Sequence, residues 1–296
     1  MSTLPAVRAA AIRPRRMGRI RIGSDDHKRR FCRAVVDTFH AYEPHQVRWP
    51  DLDPPARERL RSLPFWGEAI GSERTAAARV RAMAEVETDP VLREAIALQA
   101  CEEERHAKLL EHMLAFYGIQ TPDEPAVWPR DPEWGFMRMG YGECFDSFFA
   151  FGLFRLADET GFFPPELVRV FDGVMQEEAR HILFFTNWAA YRTGQLPLVR
   201  KPWFVARRTL GVALQAFGRV KTAMQLRGGG GGEPDNFTMQ VPDELAGGVH
   251  VTLRALARTC MVENERRLAP YDPELLRPRM VPALVGLALR VAPGRG

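Results

Sequence analysis

Two short segments of the chain repeat one order of acidic and basic side chains. Glu102–His106 reads Glu-Glu-Glu-Arg-His, and Glu177–His181, 75 residues further along, reads Glu-Glu-Ala-Arg-His. In each segment a glutamate, Glu103 or Glu178, lies three residues before the histidine. On a helix this spacing puts both side chains on one face. A carboxylate and an imidazole placed there could bind one metal ion together.

Apolar residues flank both segments at helical spacing, among them Leu109 and Met113 near the first and Val174 and Phe184 near the second. The two segments are therefore predicted to lie on or beside buried helix faces. A buried carboxylate without a partner is unfavourable, and a bound cation would stabilise it. For either segment alone, a surface ion pair with a solvated histidine remains the alternative interpretation.

A site for two ions needs one more carboxylate from the helix that pairs with the first segment. If that helix pair turns near residue 88, the position level with Glu103 is residue 73, which is a glutamate. Glu73 lies within an apolar stripe, so it would be an acid inside a core face. Glu68 is the alternative, on a more polar side of the same helix. We favour Glu73.

The second segment needs an equivalent partner. A turn near residues 160–162 puts the residue level with Glu178 at about 143–146, where Glu143 and Asp146 both qualify. Glu143 shares its helix face with Ser147 and Phe154, and we favour it. Asp146 is nearly in line and could lie just behind the ligands.

The remaining charged residues of the two segments have two interpretations. Histidine ligands usually donate their second ring nitrogen to a carboxylate or carbonyl. Glu102 and Glu177, each one residue before a proposed ligand, could orient the histidine across the helices, and Arg105 and Arg180 could pair with these acids. Solvated surface side chains are the equally weighted alternative for all four.

Four long helices are predicted to carry these residues, and all elements of the chain are expected to be helical. Prolines between Thr121 and Gly140 indicate a long connection between two helical hairpins. The third helix carries apolar residues on nearly every side, so it is expected in the core or at a subunit interface. The predicted helices are Phe65–Glu87, Pro90–Tyr117, Tyr141–Glu159 and Pro165–Arg192.

The chain divides into three predicted parts. Residues 1–64 form a basic, proline-punctuated N-terminal extension with a short helix around Arg30–Tyr42. Residues 65–192 form the helical unit with the acidic segments. Residues 193–296 form a C-terminal helical region, in which helices at Phe204–Leu226 and Asp243–Leu268 flank a flexible glycine-rich loop, Gly228–Gly232.

One Glu from each of two helices, with Glu-x-x-His from each of two others, resembles the ferritin-like di-iron carboxylate superfamily. The resemblance covers residues 65–192 and implies an all-α, ferritin-like four-helix bundle with one long crossover, plus the N-terminal extension and additional C-terminal helices. It also implies that six residues ligate the metals. These are Glu73, Glu103, His106, Glu143, Glu178 and His181.

By the same resemblance the cofactor is a pair of iron ions, with a Mn/Fe pair as the alternative, and the partners are O2 and a small organic substrate. The expected activity is that of a non-haem oxidase or oxygenase that hydroxylates, desaturates or N-oxygenates its substrate. An external electron donor is expected. The extensions differ from a compact ferritin subunit, and the tail carries no rubredoxin-like cysteine module of the kind found in rubrerythrins.

Two alternative functions stay open: a ferroxidase or metal-binding protein without an organic substrate, and an RNA-associated, tRNA-modifying hydroxylase. The four cysteines are scattered without a C-x-x-C, which argues against a disulfide framework and against a zinc ribbon. The formal net charge of +4 comes mainly from arginines near both ends, and we interpret the basic N-terminus as a solvated arm. We expect a cytoplasmic protein that could form a homodimer, with neither a membrane nor nucleic acid as partner.

Overall fold

The computed structural model describes residues 19–63, 65–227 and 253–291, and within these residues the fold is all-helical, without a β-strand. A single 3-10 turn spans Pro44–Gln46. The α-helices are α1 Asp25–Val36, α2 Pro54–Ser62, α3 Trp66–Val86, α4 Pro90–Tyr117, α5 Pro132–Glu159, α6 Pro165–Gln195, α7 Lys201–Arg227, α8 Leu253–Leu268 and α9 Met280–Val291.

Helix α4 begins and ends where the sequence predicts. The Asp89 side chain accepts hydrogen bonds from the backbone N–H groups of Val91 and Leu92, and Pro90 occupies the first turn. Gly118 ends the helix in the left-handed region at φ 68°, a conformation that glycine adopts without strain. Helix α3 packs along α4, so the predicted first hairpin forms.

The predicted start of the third helix, at Tyr141, is wrong. Helix α5 begins at Pro132, because Asp131 caps the backbone N–H of Trp134 at 2.9 Å and Pro132 supplies the first turn. The prolines at 122, 125 and 129 do lie in the connection, which runs alongside α3. There Val127 N–H donates to the Thr75 hydroxyl at 3.3 Å.

The apolar helix α5 is central, as its composition indicates. It packs against α3, α6, α7, α8 and α9. Two glycines allow the closest of these approaches, since a Cβ at Gly140 would overlap the Phe185 ring of α6 and a Cβ at Gly152 would overlap Cys260 of α8. Helix α5 is joined to α6 by a turn in which Gly161 has φ 66°, near the predicted turn.

The N-terminal residues are more helical and more closely packed than predicted. The short helix forms at Asp25–Val36 instead of Arg30–Tyr42. It begins there because the Ser24 hydroxyl caps it by accepting a hydrogen bond from the backbone N–H of His27. Helix α1 packs on α6 and α4. Of the basic residues assigned to a solvated arm, Lys28 is buried and ion-paired with Asp89, and Arg30 pairs with Asp272 at 3.2 Å.

In the C-terminal part, α7 agrees with the predicted helix at Phe204–Leu226 to within a turn, and α8 forms the end of the helix predicted at Asp243–Leu268. The glycine-rich segment Gly228–Gly232 lies outside the described residues. Among the helices described, none combines the length and the hydropathy needed to cross a bilayer.

Candidate metal centre

The structure brings all six predicted ligand residues together between α3, α4, α5 and α6. Their side chains form two overlapping groups in which one ligand atom from each residue lies within 4.8 Å of all the others. The first group consists of Glu73, Glu103, His106 and Glu178. The second group consists of Glu103, Glu143, Glu178 and His181. Each group could hold a metal ion, and Glu103 and Glu178 belong to both.

The two histidines point one ring nitrogen into the cluster. Nδ1 of His106 lies 3.1 Å from Glu178 Oε1 and 3.5 Å from Glu73 Oε2. Nδ1 of His181 lies 2.9 Å from Glu103 Oε1. The two ring centroids are 5.9 Å apart. The cluster is therefore compact enough for every member to contact a shared small cation or one of two neighbouring cations.

Several buried atoms of the cluster have no hydrogen-bond partner among the described residues. They are Nδ1 of both histidines, Oε1 of Glu103 and Oε2 of Glu143. The short contact of His181 Nδ1 with Glu103 does not have the angle of a hydrogen bond. Buried polar atoms are normally satisfied, so the unsatisfied atoms of these ligand-type side chains are those that a cation between them would satisfy.

The other ring nitrogen of each histidine contacts a second layer of acids, and each acid lies on a different helix from the histidine that it contacts. Nε2 of His106 on α4 lies 2.7 Å from Glu177 Oε2 on α6. Nε2 of His181 on α6 lies 2.8 Å from Glu102 Oε2 on α4. Both acids are buried, at 1% and 0% exposure. The predicted orienting role is thus confirmed, and the interpretation of these acids as solvated side chains is wrong.

The two arginines of the repeated segments neutralise these acids. Arg105 donates to Glu177 Oε1 at 2.8 Å, and Arg180 donates to Glu102. Both guanidinium groups are buried, so the interpretation as water-facing side chains is also wrong. Each histidine consequently has behind it a buried Glu–Arg pair with no net charge.

Residues from the N-terminal part complete this second layer, and the sequence analysis missed them. The guanidinium of Arg105 lies 4.2 Å from the centre of the Tyr42 ring. That of Arg180 donates to the hydroxyl of Thr38 at 2.8 Å and to its carbonyl at 3.1 Å. No spacing rule links residues so distant in sequence. The only available signal was a run of aromatic residues, Phe39 and Tyr42, in a segment otherwise taken as an extension.

The two alternative ligands do not join the cluster. Glu68 belongs to neither group, although it lies on the same helix as Glu73. Asp146 accepts from Arg219 of α7, whose Nε is 3.1 Å from Asp146 Oδ1. Its carboxylate therefore serves an ion pair between α5 and α7.

The electrostatics of the cluster are those of acids and imidazoles forced together away from water. Burial, with the nearby carboxylates of Glu178 and Glu73, raises the pKa of Glu103 to about 8. Burial and the same kind of repulsion raise the pKa of Glu143 well above its usual range. Protons on acids in the metal-free chain reduce this repulsion, and a cation would do so as well.

The other groups shift toward their charged forms. Burial opposes this, but the neighbouring rings of His106 and His181 hold the pKa of Glu178 well below its usual range. Burial likewise opposes the charge of Glu102, yet Arg180 and His181 lower its pKa to about 2. The pKa of both histidines rises well above 6.5 despite burial, because carboxylates contact both nitrogens of each ring.

An apolar cavity of about 150 Å³ adjoins the first group. Glu73 and His106 are its only polar lining residues among those described, and the rest of its wall is aliphatic or aromatic. A second cavity, of about 460 Å³, is lined by residues of α5, α6, α7 and α9 and by residues just before α9, among them Tyr141 and Arg208. None of the six cluster residues lines this second cavity.

Comparison of the chain with protein-family models, with curated proteins and with solved structures found no match. The functional assignment therefore depends on the residues and their geometry.

Proposed function

We propose that this protein is a non-haem di-iron oxidase or oxygenase that uses O2 to hydroxylate, desaturate or N-oxygenate a small organic substrate. The observation that carries the proposal is the pair of overlapping carboxylate–histidine groups, which share Glu103 and Glu178. Two acids shared by both groups, with one further acid and one histidine in each group, form the donor set expected of a carboxylate-bridged pair of ions. In this assignment Glu73 and Glu143 are the terminal carboxylates.

We further propose that α3, α4, α5 and α6 are the four helices of a ferritin-like bundle. In support, α3 packs on α4, α5 packs on α6, and contacts between α3 and α5 and between α4 and α6 join the two hairpins. Residues 118–131 link the hairpins, which is the one long connection of that topology.

The charges of the cluster fit two divalent cations. Four ligand carboxylates carry four negative charges, which two divalent ions would neutralise, with the histidines neutral. The acids behind the histidines need no share of that charge, because Glu102 pairs with Arg180 and Glu177 pairs with Arg105. Mixed carboxylate and imidazole ligation suits iron or manganese.

The second layer prepares the histidines for this role. When Glu102 and Glu177 accept a proton-bearing Nε2, the Nδ1 lone pair of each ring faces the cluster. The buried arginines hold these two acids in place. The chain therefore fixes the orientation of both rings before any ion binds, which favours binding once each Nδ1 has lost its proton.

Two ferrous ions held by these residues would supply the redox chemistry that O2 activation requires. For a hydroxylation, one oxygen atom enters a substrate C–H bond and the other leaves as water, and an external donor supplies a pair of electrons with a pair of protons. The chain's own contribution is to bind and orient the substrate and to exclude water from the reacting atoms.

A metal-binding or ferroxidase protein without an organic substrate would need the same cluster. The observation that favours an oxygenase is the apolar cavity lined by Glu73 and His106. A ferroxidase instead needs a polar path for iron. Measurement of particle size adds a second criterion, because a storage ferritin closes into a large shell and an oxygenase forms a monomer or small oligomer.

The decisive experiment is anaerobic titration of the metal-free chain with ferrous iron, followed by exposure to O2. We expect two ions per chain by elemental analysis, then O2 uptake with a change in the visible spectrum. Glu104→Gln is the matched control, since Glu104 lies next to Glu103 but is exposed and pairs with Lys108 at 2.7 Å. Binding of fewer than two ions by the wild-type chain would contradict the dinuclear assignment.

A further inference from the structure

Residues of five helices line the cavity beside the first group. Leu60 of α2, Ala69 of α3, Met113 of α4 and Val174 of α6 all line it, and Phe154 of α5 also contributes to its wall. Its volume of about 150 Å³ matches that of an engineered apolar cavity that stays dry and binds benzene. The space is therefore large enough for one six-membered ring or an aliphatic group of similar volume.

The wall of this cavity offers almost no hydrogen bonds. The only polar side-chain atom among its otherwise apolar lining residues, Nε1 of Trp66, already donates to the carbonyl of Leu60 at 2.8 Å. The polar exceptions, Glu73 and His106, are also members of the first ligand group. The cavity is thus apolar except where Glu73 and His106 of the cluster form part of its wall.

We propose that this cavity binds an uncharged, apolar group of the substrate, about the size of a benzene ring, and presents it to the Glu73 and His106 side of the cluster. This inference rests on the proposed function and narrows its substrate class. A carboxylate or ammonium group buried here would lose its hydration without gaining a partner. A polar part of a larger substrate would have to remain outside.

The second cavity is a poorer candidate for the same role, although it is larger. No ligand residue reaches it, and exposed side chains such as Arg279 form part of its wall. Adjacency to the cluster, not volume, selects the smaller cavity.

The test uses fluorine-19 NMR to measure the binding of fluorobenzene to the full-length chain loaded with Zn²⁺. The closed-shell ion leaves the result independent of oxygen chemistry. We expect saturable binding of fluorobenzene and none of 4-fluorobenzoate, whose carboxylate the wall cannot solvate. Replacing Zn²⁺ with Mn²⁺ should strongly broaden the resonance of bound fluorobenzene, because the cavity adjoins the ions.

Side chains that fill the cavity should abolish this binding. Ala69→Leu and Val168→Phe, both at buried lining positions, should weaken it by about tenfold or more while metal content stays unchanged. Ala115→Leu is the matched control, since Ala115 is exposed on α4 and does not line the cavity. Phe154→Ala should act in the opposite direction and admit 1-fluoronaphthalene, which the wild-type chain should exclude.

The outcomes separate the two proposals. Equal fluorobenzene affinity in the filled variants, equal affinity for 4-fluorobenzoate, or no binding by the wild-type chain would overturn the cavity assignment, even if two ions bind. Fluorobenzene binding that responds to the variants in a chain that binds fewer than two ions would instead contradict only the di-iron proposal. If the filled variants do not fold, Phe154→Ala decides, and failure to admit the larger ring overturns the assignment.

Discussion

The two Glu-Glu-x-Arg-His segments build nearly identical halves of one site, yet the halves differ in their surroundings. Behind His106 and behind His181 the same Glu–Arg pair recurs, exchanged between α4 and α6. On the side of the cluster that faces the apolar cavity, the two halves differ. The carboxylate of Glu73 is 24% exposed and lines an apolar cavity, which neither Glu143 nor His181 touches. The repeat therefore accounts for the two groups that could hold metal ions. Under the proposed function, the asymmetry indicates from which side a substrate would approach.

The largest expected effect comes from the two acids that belong to both halves. Glu178→Ala or Glu103→Ala should reduce metal content from about two ions per chain to near zero, because each removes a ligand from both groups. Glu73→Ala and Glu143→Ala should each retain about one ion. Elemental analysis after gel filtration measures the difference. Identical losses in all four variants would contradict the division into shared and terminal acids.

The second layer should have a smaller effect that is similar in both halves. Glu177→Gln and Glu102→Gln should each lower metal affinity by about 10–100-fold, since the amide orients the imidazole less well than the carboxylate. Competition with a chromophoric chelator measures the affinity. Glu104→Gln, a change of the same kind at an exposed position of the first segment, should leave it unaltered. A loss in one half alone would show that the crossed pairs are not equivalent.

The hairpins that carry the halves differ in how tightly they pack. Gly140 of α5 contacts the buried Phe185 ring so closely that Gly140→Ala should destabilise the fold by about 1–3 kcal/mol. On α3, a Cβ at Gly71 would lie 2.7 Å from Oε2 and 2.9 Å from Cβ of Glu124, an exposed residue of the connection after α4. Gly71→Ala should therefore destabilise the fold less than Gly140→Ala, because an exposed connection can shift more easily than a buried ring. Urea unfolding of both variants measures the contrast, and equal destabilisation would contradict it.

Much of the site could be predicted from sequence because the decisive information is local. Glu-x-x-His spacing fixes Glu103 with His106 and Glu178 with His181, and hairpin geometry from residue 88 is enough to place Glu73. The buried position of Glu102 and Glu177 could not be fixed in this way. It depends on helix rotation, and nothing in the pentapeptide distinguishes an acid that crosses to α6 from one that faces water.

What failed in the prediction depended on capping and on distant contacts. Helix α5 begins at Pro132 because Asp131 caps it, whereas prolines alone suggested a continued loop. Lys28 and the segment with Thr38 and Tyr42 are held by partners far along the chain. Sequence periodicity carries no record of such contacts, and the described part of the basic extension packs against the helices of the site through α1.

The smallest expected effect concerns the equivalent glutamates of the two segments, which titrate in opposite directions. The pKa of Glu103 is about 8 in the folded, metal-free chain against an ordinary 4.5. Between these two pH values the folded chain keeps a proton on Glu103 that the unfolded chain has released. Stability from this group is full below pH 4.5 and is lost as pH rises through about 8. The raised histidines act in the same direction. Glu178, with its lowered pKa, contributes stability that is lost only under acid conditions.

The melting temperature of the metal-free chain should therefore fall between about pH 5 and pH 9, by roughly 2–4 °C for each kcal/mol lost. Glu103→Gln mimics the protonated acid and should make this slope shallower, whereas Glu178→Gln should not. Saturating Zn²⁺ should also flatten the slope, because the ions replace the protons. Parallel slopes for the wild-type chain and Glu103→Gln would mean that the two segments titrate alike, and the electrostatic difference between them would be lost.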